Sequence, residues 1–128
     1  MAEFLLSLHS GVRYLVLVAA VIAILVALVR LKAGTIGRPG EIAGAAFTGV
    51  LDLQVLLGIG VMLTRPFYPA LIGHVTMMVL AAVVAHVTGV ILRRRPPEQR
   101  RAVIQLVGFL IALAFVIGGI RAIGRSVL

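Results

Sequence analysis

The chain has 128 residues, 62% hydrophobic and only 12% charged, with a net charge of +8 and no cysteine. A water-soluble domain of this length could not hide so much apolar surface, and the mean hydropathy of +1.19 excludes that class. Without cysteine there is no disulfide, thiolate metal site or C-x-x-C-H haem attachment. Nor does the positive charge point to nucleic acid, because the basic residues sit at the ends of apolar runs.

The first apolar run covers about residues 4–31. It begins with Glu3 rather than a basic leader, is too long for a signal-peptide core and has no small-residue cleavage site, so it is expected to be a permanent span. Near its start lies the most specific local pattern, His9-Ser10-Gly11-Val12-Arg13-Tyr14, in which His9 and Arg13 share a helix face. The connection that follows carries Arg30, Lys32 and Arg38 and is broken by Gly34, Gly37, Pro39 and Gly40.

The second run, about 42–63, holds Asp52, Gln54, Gly58 and Gly60. Arg13 lies some 14 Å inside the bilayer by helical rise and calls for an anionic partner or a wet cavity. Asp52, at a comparable depth, is the expected ion-pair partner. The alternative has Arg13 facing a haem propionate, with Asp52 in a proton path. Gln54 shares a face with Gly58, where it either looks into an outer cavity or makes a hydrogen bond between helices.

Pro66 and Pro69 bracket the next connection, beside Arg65. The third run, about 69–92, opens with Gly73-His74 and continues through Met77 and Met78 to His86. His86 follows His74 by twelve residues, roughly 18 Å deeper, and no other histidine exists at its level to complete a second pair. A helix–helix hydrogen bond, a quinone contact or single ligation of a five-coordinate haem all remain open for it; the methionines are expected to pack. Arg93, Arg94, Arg95, Arg100 and Arg101 surround Pro96-Pro97, and the fourth run, about 102–124, carries Gly118-Gly119 and ends near Arg121 and Arg125.

Each run reaches the ~20 residues that cross a ~30 Å hydrocarbon core as a helix, and in lipid a helix satisfies its own backbone. Short connections make sequential helices antiparallel. The expected fold is all-α: one integral membrane domain over 1–128, an up-down-up-down four-helix bundle. Eight of the twelve basic residues flank the first and third connections, while Arg13, Arg65, Arg121 and Arg125 belong to the other half. The positive-inside rule then makes both termini periplasmic.

In this bundle the first and third helices are diagonal. His9 and His74 each lie about five residues into their spans, roughly 7–8 Å below the outer boundary. Two imidazoles facing each other at one depth are how a b-type haem is held, which makes His9 and His74 the candidate iron ligands. Gly11, Gly58, Gly60, Gly73, Gly118 and Gly119 occupy the same level. They are expected to let backbone approach a bulky planar group, or else simply to allow tight helix packing in lipid. Arg13 and Gln54 complete the expected cofactor-binding set.

The patterns His9-Ser10-x-x-Arg13-Tyr14, Asp52-x-Gln54-x-x-Leu57-Gly58 and Gly73-His74-x-x-Met77, continuing to Ala85-His86, together resemble the small four-helix bacterial membrane proteins labelled cytochrome b. The likeness covers most of the chain. It departs at Gly73, where many members carry an acidic residue. The resemblance implies haem without naming a reaction.

The reading is a bacterial inner-membrane cytochrome with one haem b. Two axial imidazoles leave no open iron position, which suits electron transfer. Partners of this reading are the lipid bilayer, quinol, a periplasmic electron carrier, or a larger respiratory or photosynthetic complex. Whether a catalysed reaction is involved stays open. The rivals are a cofactor-free accessory or assembly subunit, and a small proton-linked transporter using Asp52, Arg13 and His86.

Overall fold

A computed structural model describes residues 2–124. Among them are four long helices: α1 (Ala2–Arg30), α2 (Gly37–Thr64), α3 (Ala70–Arg93) and α4 (Ala102–Ala122). A short 3-10 turn, Pro97–Gln99, precedes α4. All four are long and apolar enough to cross a membrane, the composition of a multi-pass membrane protein. Arg125, counted above with the outer basic residues, lies outside the described residues.

The interior combines alanines with a few large side chains, among them Phe47, Leu51 and Phe109, while the outward faces stay apolar. Ala20, Ala23, Ala81, Ala85 and Ala112 are fully buried, whereas Val29, Leu56 and Leu63 point outward. A soluble core would reverse that arrangement. In lipid there is no hydrophobic gain from hiding leucine, and small interior residues let helices approach closely. The largest buried rings, Phe47 on α2 and Phe109 on α4, meet edge to face with centroids 4.9 Å apart.

Packing is closest between α3 and α4 and between α1 and α2, with α1–α4 and α2–α3 closing the ring. Helices α1 and α3 therefore face each other across the bundle. Along α1–α2, His9 meets Gly58 while Leu5 meets Gly60; along α3–α4, Gly73 meets Ala122 while Thr88 meets Gly108. In both pairs the contacts run in opposite register.

Helix α2 starts at Gly37, five residues before the expected boundary. Pro39 does not break it, because first-turn N–H groups have no intrahelical acceptor to lose. The break sits earlier, at Gly34 and Gly37, both with positive φ (87° and 60°). The two basic connections also join each other, a feature not anticipated from the sequence. Ile36 N–H donates to the Arg100 carbonyl at 2.8 Å, and Ala102 N–H donates to the Gly34 carbonyl at 3.0 Å. The second bond satisfies an N–H at the start of α4 that its own helix leaves free. Gln105 reinforces the junction from the core, donating to the Gly40 carbonyl at 3.0 Å.

Candidate functional site

Between α1, α2, α3 and the end of α4 lies a cavity of about 310 Å³ lined by His9, Arg13, Gln54, Gly58, Arg65 and His74, among others. The ring centroids of His9 and His74 are 6.2 Å apart, with their planes at 88°. Two imidazole nitrogens each about 2 Å from one metal put the ring centroids about 6 Å apart. An edge-to-face ring pair spans a similar distance, roughly 4.5–7 Å, so spacing alone does not decide between them.

The second nitrogen of His74 fixes its tautomer, in a form that either arrangement accommodates. His74 Nδ1 is 2.7 Å from the Gly119 carbonyl oxygen. A carbonyl only accepts, so Nδ1 carries the proton, and a neutral ring then has its lone pair on Nε2. This is the arrangement that orients a metal-ligating histidine. Gly119 lies in the last turn of α4, where carbonyls lack an intrahelical donor. A Cβ at Gly119 would come within 3.1 Å of Met78 Sδ and 3.3 Å of Met77 Cβ. Glycine there lets α4 approach α3 closely enough for this hydrogen bond.

On α1, the His9 ring rests against Gly58, where an added Cβ would stand 3.1 Å from His9 Cε1. Gln54 Nε2 donates to the His9 main-chain oxygen at 2.8 Å. Of the two roles open to Gln54, the interhelical hydrogen bond is the one observed, and it anchors α1 at the level of the histidine. Its Oε1 is buried without a hydrogen-bond partner among the described residues.

Other expectations need correcting. Arg13 and Asp52 do not pair. Arg13 bonds Tyr14 Oη at 2.8 Å, while Asp52 Oδ1 and Oδ2 lie 2.8 and 2.9 Å from His86 Nε2. The reason is rotational: residues two apart on a helix point about 200° away from each other. Because Gln54 faces α1, Asp52 faces α3. The shared glycine level is also not one cradle. Gly58 is in the cavity wall, but Gly11 opens outward with nothing nearby, Gly60 meets Leu5, Gly73 meets Ala122, and Gly118 and Gly119 meet Met77 and Met78.

The remaining cavity charges are cationic. Arg13 and Arg65 both line it, and among the described residues no carboxylate does. Arg13 Nε is buried without a partner among the described residues. A ligand bearing carboxylates would complement this wall. Arg65, Tyr68 and Met78 also reach the cavity; the sequence gives no signal for Tyr68, marks Arg65 only as a boundary charge, and leads to the expectation that Met78 packs. Among the described residues, no group of three or more His, Cys, Asp or Glu converges. Two histidines alone suit a metal whose other ligands come with a cofactor ring, rather than a bare ion. Comparison with protein-family models, curated proteins and solved structures found no match.

Proposed function

We propose that the protein is a membrane-integral b-type cytochrome that transfers electrons in a bacterial plasma membrane. Its four helices thread up-down-up-down, with both termini periplasmic, and one haem b is held between His9 and His74. The observation that carries the reading is the diagonal histidine pair at 6.2 Å with His74 Nδ1 engaged by the Gly119 carbonyl. The cationic wall of Arg13 and Arg65, to which no described carboxylate contributes, suits the propionates of such a group. The likeness to small four-helix cytochromes b points the same way.

A haem held by His9 and His74 would supply a one-electron couple. The chain's own residues do the rest. His74 is held in one tautomer by Gly119, Gln54 steadies the backbone of His9, and Arg13 and Arg65 present positive charge at the cavity rim. Electrons would pass between quinol in the bilayer and a periplasmic carrier, or within a larger redox complex.

The test is a reduced-minus-oxidised visible spectrum of protein purified from haem-replete cells. A six-coordinate low-spin haem b is expected, abolished or made high-spin by His9→Ala or His74→Ala and retained in His86→Ala. A folded, colourless protein would overturn the reading and leave an accessory or assembly subunit in its place.

A further inference from the structure

A second opening, of about 670 Å³, lies between α2 and α3 on the side of the bundle away from the histidine pair. These two helices make the least extensive of the four neighbouring contacts. The opening is floored by Gln105 and Phe109 of α4 and walled by Gly44, Ala45 and Gly49. Asp52 and His86 bridge it, with side-chain exposures of 44% and 50%. Both belong to helices apolar enough to span a membrane. A carboxylate open to hydrocarbon is costly, and such residues mark ligand sites or proton paths.

The pair has a direction. The Asp52 carboxylate, holding His86 Nε2 with both oxygens, accepts the Nε2 proton; the lone pair of a neutral ring is then on Nδ1. A ligand that donates a hydroxyl to Nδ1 is complementary. A lipid phosphate would meet like charge at Asp52, but Arg93 and Arg100 line the same opening, Arg100 paired with Glu41 at 2.7 Å, so phospholipid is the competing occupant that the test must separate from quinol. The small-residue wall suits something flat, and entry from the lipid side requires something apolar apart from its polar head.

We propose that this groove binds the head group of a membrane quinol, with one ring hydroxyl donating to His86 Nδ1 and Asp52 setting the tautomer. The choice of quinol rests on the electron-transfer reading above; the groove itself is separate from the histidine pair.

The experiment is organic extraction of the full chain, purified in mild detergent, with quinone-to-protein ratio by mass spectrometry and titration with a short-chain ubiquinol. His86→Ala and Asp52→Asn should each weaken retention by roughly tenfold, as loss of a hydrogen bond to a charge-assisted group would. Gly49→Leu provides a steric test, because a Cβ at Gly49 meets nothing within 4 Å and leucine favours helix over glycine. It should block the groove while circular dichroism stays unchanged. Equal quinol binding in wild type and all three variants would overturn the site, as would phospholipid alone co-purifying in a groove that ignores ubiquinol. Quinol held by a colourless protein would keep this site and sink the haem reading. Haem with no quinol binding would do the reverse.

Discussion

His74 Nδ1 and the Gly119 carbonyl oxygen, 2.7 Å apart, tie α3 to the last turn of α4. The bond needs two things that neither residue supplies alone. One is a carbonyl left free by the helix end. The other is an approach that a side chain at position 119 would hinder, since Met77 and Met78 already occupy that space. The result is an imidazole held in one tautomer, facing His9 across the bundle.

Substitutions at the adjacent glycines should therefore differ. Gly119→Leu is expected to destabilise by about 1–3 kcal/mol through overpacking and to release His74. At Gly118 an added Cβ would lie 3.7 Å from Met77 Sδ, an ordinary contact, so Gly118→Ala should be close to neutral. Thermal unfolding in detergent, followed by circular dichroism, compares the two; equal losses would show that the close approach at 119 is not what matters.

A similar contrast is expected on α2. Gly58→Leu should displace the His9 ring and reduce haem content without removing a ligand, because the first added carbon already stands 3.1 Å from Cε1. Gly60→Ala, whose Cβ would meet Leu5 at 3.5 Å, should retain haem. The haem-to-protein ratio from a pyridine haemochrome assay is the measurement.

Asp52 and His86 should be energetically coupled, and Asp52 and Arg13 should not. In double-mutant cycles with Asp52→Leu, the His86→Leu partner is expected to show an interaction of at least about 0.5 kcal/mol, whereas Arg13→Leu should add independently. Strong coupling between Arg13 and Asp52 would restore the ion pair expected from sequence and contradict the observed partners.

Orientation is checked from outside the bundle. On the proposed orientation, in which both basic connections are cytoplasmic, an alkaline phosphatase fused after the last residue is expected to be active. Activity only from a cytoplasmic reporter at that position would invert the topology and move the histidine pair to the inner face.

Much of the architecture was legible in the chain because it depends on local, one-dimensional quantities. Hydropathy and the need to satisfy backbone groups in lipid mark four helices, and the helical rise of 1.5 Å per residue puts His9 and His74 at one depth. Their facing each other then requires only that α1 and α3 be diagonal, which short connections favour. Rotation about each helix axis was harder to read. These helices are apolar on every side, so no polar stripe announces which face turns inward. That is why depth alone matches Asp52 to Arg13, although Gln54, two residues on, bonds α1 and leaves Asp52 turned to His86. Tertiary packing also gave each glycine its neighbour, brought Arg65 into the cavity wall and joined Gly34 to Ala102. Depth follows from counting residues along one helix; facing depends on how each helix is rotated against its neighbours, and only their packing decides it.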